Sequence, residues 1–251
     1  MTDQTEEAAS ELLAGLVPAS ASPAPGQNIL PGNARCDVGE TPLWRAHEGA
    51  ATLFVHGWAD THRVWRQFAQ DFIANARPTL LMDLPAHGAS TSKDFGRYQA
   101  GSAIYNVCKT HAPIDAIIAH SFGTVATAKA IQLGAKADYL VLIAPPVLGW
   151  ADIQRRRGAD PAAIDRALEL AGEKRIAEME PYNIAEALSG YEGRVLFIGS
   201  DADPVCPADA IEEMSSKIPN AEMRSVPGLS HRDLCLSPAV LAEILQFLRY
   251  T

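Results

Sequence analysis

Residues 113–123 read PIDAIIAHSFG, and the reading of this stretch decides the fold of the whole chain. Its first eight residues form a short apolar run of strand length, followed at once by Ser121 and by a segment of helical character over 122–134. A strand with almost no polar interruption is expected where both of its faces are covered, as in a parallel sheet with helices on either side. The stretch therefore predicts a strand over 113–120 that turns into a helix at a serine hemmed in by small residues.

Outward from it, the same unit recurs. Apolar runs stand at 51–57 (ATLFVHG), 78–85 (PTLLMDLP), 138–146 (DYLVLIAPP), 193–200 (GRVLFIGS) and 221–228 (AEMRSVPG), with TPLWRAH (41–47) as a further, edge strand. Helical segments are expected near 64–75, 98–110, 122–134, 207–217 and 236–250. Alternation of this kind predicts an α/β fold, a mostly parallel central sheet with helices on both faces. One interval breaks the rhythm: about fifty residues separate LIAPP from RVLFIGS, far beyond a usual connection. Within it, ADPAAIDRALELAGEKRIAEME (159–180) predicts a helix with Asp160 as N-cap, Pro161 in first position, and Ile164 and Leu168 on one face. The expected organisation is an N-terminal arm over 1–40, a core over 41–146 and 191–251, and a small helical cap inserted over 147–190. In the arm, PASASPAPGQNILPGN (18–33) reads as flexible or draped over the surface. EEAASELLAGL (6–16) fits either a short amphipathic helix or a frayed terminus.

Composition narrows the function. The chain has 251 residues, 47% of them hydrophobic, enough for one large domain with a buried core. A formal net charge of −9 repels polyanions, so neither nucleic acid nor an anionic membrane is an expected partner, and small neutral substrates are. No apolar run reaches the roughly 18–20 residues of a membrane span. The start MTDQTEEAASELL is acidic where a secretory signal is basic, which predicts a cytoplasmic location. Cys36, Cys108, Cys206 and Cys235 form no CxxC pair and read as idle thiols. The seven histidines show no ligand spacing such as HExxH, so no metal and no cofactor is expected. The run RRR (155–157) reads as a solvated surface patch.

In an open α/β sheet, ligands bind beyond the carboxyl ends of the strands, and the chemistry-bearing residues of this sequence fall there. Ser121 stands between Ala119 and Gly123. A strand-to-helix turn that projects a strained serine tolerates only small side chains at these two positions, the physical content of G-x-S-x-G, here with Ala for the first Gly. The other reading is an ordinary helix N-cap serine. A serine hydroxyl becomes a nucleophile only beside a base that a third group orients. SDADPVCP (200–207) offers Asp203 past a strand end, with Asp201 as the competing carboxylate, and PGLSHRDL (227–234) offers His231 in a loop freed by Gly228. Two donors for an oxyanion are expected from the backbone N–H groups of Trp58, after His56-Gly57, and of Phe122. His56, Gly57, Trp58, Trp150 and Val205 are the expected pocket residues, and Trp65 fits pocket and core equally.

FVHGW, DLPAHGAS, AHSFGTVA, VLIAPP, DADPVCP and GLSHRDL together resemble the α/β-hydrolase superfamily over nearly all of residues 41–250. More narrowly they resemble bacterial hydrolases that carry an HGW segment, a D-x-P-x-HG-x-S segment and a GL-x-H histidine. The resemblance implies Ser121 as nucleophile, Asp203 as acid, His231 as base, and Trp58 and Phe122 as oxyanion donors. It places His87 in a structural turn outside the chemistry. The sequence departs from the pattern at Ala119 and in a cap shorter than in many relatives. The implied activity is a carboxylesterase acting on a small ester through an acyl-serine. A thioesterase, amidase or carbon–carbon bond hydrolase would use the same three residues, while dehalogenases and epoxide hydrolases use an aspartate nucleophile. From another class, a non-catalytic ligand-binding protein of this fold is the alternative.

Overall fold

The computed structural model describes residues 3–16, 34–172, 178 and 180–249. In chain order these form α1 (Asp3–Ala14), β1 (Ala34–Arg35), β2 (Leu43–Ala46), β3 (Ala51–Val55), a 3-10 turn (His62–Trp65) leading into α2 (Arg66–Ala74), β4 (Thr79–Met82), α3 (Arg97–Thr110), β5 (Ile114–His120) and α4 (Phe122–Gln132). There follow β6 (Tyr139–Ile143), α5 (Trp150–Arg156), α6 (Pro161–Leu170), α7 (Ile184–Ala187), β7 (Arg194–Gly199), α8 (Ala208–Ser215), β8 (Ala221–Ser225) and α9 (Pro238–Phe247). The segment expected to be flexible, 18–33, lies outside the described residues.

The apolar runs become one eight-stranded sheet in the order β1-β2-β4-β3-β5-β6-β7-β8. From β4 to β8 the strands are parallel, while β2 runs antiparallel to β4 and β1 antiparallel to β2. Every residue of β3 and β4 is buried, as are nearly all of β5, β6 and β7. Such burial needs cover on both faces, which is why these runs lack the polar alternation of a half-exposed strand. Ile117 and Ile118 are neighbours that point to opposite faces, and both are fully buried; each contributes on the order of 1.5–3 kcal/mol by leaving water. Among the covering helices, α2 packs on β4, α4 on β3 and β5, and α8 on β7 and β8, with α3 laid along α4.

Several boundaries differ from the sequence expectation by a few residues, and two of the differences bear on the sheet and the site. TPLWRAH contains β2, but β2 is not the edge, because Ala34 and Arg35 pair with Arg45 and Trp44 outside it. The run 138–146 leaves the sheet after Ile143, where Ala144 turns with φ 47° ahead of Pro145 and Pro146. Between β6 and β7 stand α5, α6 and α7. The Asp160 carboxylate accepts the Ala162 N–H at 3.1 Å, Pro161 opens α6, and Ile164 is buried. Arg155, Arg156 and Arg157 are exposed. No helix among the described residues is long and apolar enough to cross a membrane.

Candidate active site

Because the parallel strands all point the same way, the loops after β3, β5, β7 and β8 gather at one edge of the sheet, and each carries one part of the site. Ser121, between β5 and α4, has φ 51° and ψ −125°, a left-handed conformation that a non-glycine residue holds only when its surroundings fix it. They do so here by backbone bonds: the Ser121 N–H donates to the Ile143 carbonyl at 2.9 Å, and the Ser121 carbonyl accepts the N–H and the hydroxyl of Thr124 at 2.8 and 2.6 Å. The Ser121 side chain does not cap α4, so the N-cap reading fails and the hydroxyl is free for another partner. Gly123 is required by space, since a Cβ there would lie 2.5 Å from the His56 carbonyl oxygen and 2.9 Å from that of Val55.

The partner is His231. Its Nε2 lies 2.9 Å from Ser121 Oγ, and its Nδ1 lies 2.7 Å from Asp203 Oδ2. An ionised carboxylate only accepts, so Nδ1 carries the proton and Nε2 presents its lone pair to the serine hydroxyl. Asp203 is buried and its second oxygen accepts the N–H groups of Val205 and Cys206 at 2.8 and 3.1 Å. Burial pushes its carboxyl upward, but the bonds from His231 and from the two backbone donors outweigh that and hold it below the usual carboxylate range. Asp201 does different work. Its carboxylate accepts the Gly228 N–H at 2.8 Å, and beside it Ser200 Oγ accepts the Leu229 N–H at 3.0 Å, so the loop carrying His231 is pinned to the loop after β7.

A residue missed in the sequence completes this support. His120 Nε2 lies 3.0 Å from the backbone carbonyl of His231; a carbonyl only accepts, so Nε2–H donates. Burial, together with the neighbouring His231, pushes the His120 imidazole down to about 3, which keeps it neutral. Its Nδ1 is buried with no hydrogen-bond partner among the described residues and lies 3.1 Å from where a Cβ on Gly57 would stand. Only the apolar environment of position 120 hinted at this, and an imidazole at the end of a strand carries no sequence signature of a bond to a loop 111 residues away.

Phe122 opens α4, where the first N–H groups have no acceptor within the helix and the helix dipole adds positive character. Trp58 follows Gly57, whose missing side chain lets the loop come close: a Cβ there would sit 3.1 Å from Ser121 Cβ. The Trp58 ring meets Phe122, His87 and Phe95 edge to face, with centroids 5.1, 5.3 and 5.8 Å apart. Phe95 was not foreseen, nor was the acceptor of the Trp58 indole N–H, the Gly15 carbonyl at 2.9 Å.

Of the other expected pocket residues, Val205 is buried beside Asp203, and Trp150 is half-buried at the start of α5. His56 is placed elsewhere than on an open face. It is fully buried, its Nδ1–H donates to the Gly57 carbonyl at 2.7 Å, and its Nε2 accepts the Leu84 N–H at 3.0 Å. Trp65 belongs to the core, with its ring against Phe54 and Phe68. His87 lies in a turn built on Asp83, whose carboxylate accepts the N–H groups of His62 and Ala89, while His87 Nδ1–H donates to the Pro85 carbonyl at 2.8 Å. Among the described residues, Asp203, Cys206 and His231 form a group with metal-type ligand atoms within 4.8 Å of one another. The first and last are already bonded to each other, and burial, then the nearby Asp203, raises the Cys206 thiol well above its ordinary value, which disfavours the thiolate a metal needs.

An acceptor nitrogen on a serine hydroxyl, with a carboxylate behind the imidazole, is an arrangement that can take a proton as an oxygen attacks and hold the resulting imidazolium. The family model described as Alpha/beta hydrolase family matches residues 52–244. No curated protein matches the chain. Among solved structures, an esterase from Thermogutta terrifontis is 16% identical with a TM-score of 0.65, over 87% of this chain and 98% of that one. The esterase RhEst1 from a Rhodococcus species is 18% identical with a TM-score of 0.66, over 87% and 98%. An esterase from Pyrococcus furiosus is 14% identical with a TM-score of 0.65, over 87% and 89%. At such identities the likeness is one of fold.

Proposed function

Because the chain belongs to the alpha/beta hydrolase family, we propose that it is a serine hydrolase that cleaves a small carboxylic ester through an acyl-serine intermediate. The observation that carries this reading is the continuous path Ser121 Oγ to His231 Nε2 at 2.9 Å and His231 Nδ1 to Asp203 at 2.7 Å. Ser121 Oγ attacks the ester carbonyl carbon as His231 Nε2 takes its proton. The tetrahedral oxyanion receives the N–H groups of Trp58 and Phe122. Collapse breaks the bond to the alkoxy oxygen, which leaves as an alcohol carrying the proton from His231. Water then attacks the acyl-serine, gives its proton to His231, and the carboxylic acid departs as Ser121 regains its hydrogen. In this reading the described part of 147–190, with α5, α6 and α7, forms the cap over the core, whose described residues are 41–146 and 191–249, and Trp58, Phe95 and Phe122 offer apolar edges to a short acyl group. The three esterases support an ester as the substrate, since the fold alone leaves thioesters, amides and carbon–carbon bonds open.

The test is a panel of acyl esters and thioesters of rising chain length, run with the wild type and with Ser121→Ala. Short esters are expected to turn over best, and the variant is expected to lose about 10⁴-fold or more in kcat while remaining folded. Turnover that survives in Ser121→Ala, or that is confined to thioesters, contradicts the reading.

A further inference from the structure

Helix α1 lies outside the residues that the family model matches, yet it touches the site. It packs along α6, where Ala9 is fully buried and Glu6 accepts Arg166 Nε–H at 2.8 Å. Ala9 on α1 and Ala163, Ile164 and Ala167 on α6 are all buried without belonging to the main core. The two helices thus share a small apolar contact of their own.

The far end of α1 reaches the loop after β3. Gly15 still donates its N–H into the helix, to the Glu11 carbonyl at 3.1 Å, but its own carbonyl is one of those a helix end leaves without an intrahelical donor. The Trp58 indole N–H satisfies it at 2.9 Å. An indole N–H is a donor only, so this bond fixes which way the ring lies. The ring in turn packs edge to face on Phe122, and Trp58 and Phe122 are the two residues whose backbone N–H groups are read as the oxyanion donors.

We propose that α1 is a working part of the active site: docked on α6, it holds Trp58 through the Gly15 carbonyl and so positions the two oxyanion donors. The proposal rests on the acyl-serine reading above. When α1 leaves α6, the indole loses its acceptor, the ring loses its fixed edge against Phe122, and the Trp58 N–H moves off the developing charge. Because an oxyanion exists only after attack, the loss falls on kcat and spares KM.

Full-length Ala9→Glu, which puts a carboxylate into the α1–α6 contact, tests this beside Ser10→Glu, which adds the same charge at the neighbouring exposed position. Hydrogen exchange of the 3–16 amides reads docking, and exchange of the strand amides reads the integrity of the sheet. Ala9→Glu is expected to lose protection over 3–16, keep it in the strands, and lower kcat by about ten- to a hundredfold, with KM for a short ester within about twofold. Ser10→Glu is expected to match the wild type in all four. Trp58→Phe, which keeps a ring and removes the donor, is expected to lower kcat in the same direction with α1 and the sheet intact. The proposal is overturned if Ala9→Glu keeps its protection over 3–16, if it loses that protection with kcat unchanged, or if Trp58→Phe keeps the wild-type kcat. Activity persisting in Ser121→Ala would remove the acyl-serine reading instead, independently of how Ala9→Glu behaves.

Discussion

Asp201 and Asp203 stand two residues apart on one loop, and their carboxylates serve different ends. Asp203 meets the imidazole of His231 at 2.7 Å, whereas Asp201 accepts a backbone N–H from Gly228. Asp203→Asn replaces an acceptor-only group by an amide whose NH₂ can face Nδ1 and favour the tautomer with its proton on Nε2, where it blocks acceptance from Ser121. We expect that substitution to lower kcat by about 10³- to 10⁴-fold, by analogy with other triads. Asp201→Asn keeps an amide oxygen for the Gly228 N–H, so its kcat is expected to stay within about threefold of the wild type. Steady-state kinetics on both variants check the pair, and the reverse ranking would move the acid to Asp201.

Among the elements, the β5–Ser121–α4 turn was legible because each requirement is met by a residue type: an apolar run for a strand covered on both faces, small side chains at 119 and 123, and a serine between. The start of α6 was legible for a similar reason, since Asp160 and Pro161 are local signals that act through neighbouring backbone. What escaped reading depends on partners distant in the chain. β1 is two residues long and exists through backbone pairing with β2, which no side-chain pattern announces. The 6–16 segment fitted both a helix and a frayed end, because the alanine contact with α6 and the indole on Gly15 decide the matter from outside the segment. Ser121, Asp203 and His231 were readable as types at strand ends. Their supports, His120 under His231 and Phe95 beside Trp58, were not, because neither contact is local.

At the scale of the whole molecule, two neutral buried imidazoles tie stability to pH. Burial pushes His56 down to about 4, against the opposing pull of Asp83, and pushes His120 down to about 3. In the unfolded chain a histidine takes its proton near about 6.5. Below that value the unfolded state binds more protons than the folded one, so stability falls as pH drops from about 6.5 toward about 4 and about 3. The carboxyls of Asp83 and Asp203 are held below their ordinary range, so their contribution is present above the unfolded value and is lost only as pH falls below it, through the folded pKa. The urea midpoint is therefore expected to decline from about pH 6.5, before carboxylates titrate, and His120→Gln is expected to flatten the decline. A midpoint constant from pH 7 to 5 would contradict this assignment. The proposed function also belongs to the scale of the whole molecule: in it Ser121, Asp203 and His231, carried past the ends of separate strands, act as a single unit. Its most direct test is covalent labelling with a fluorophosphonate, followed by peptide mapping, in the wild type and in His231→Gln. One adduct is expected, on Ser121, forming far more slowly in His231→Gln; an adduct on another side chain, or equal labelling rates in the two proteins, would contradict the proposed function.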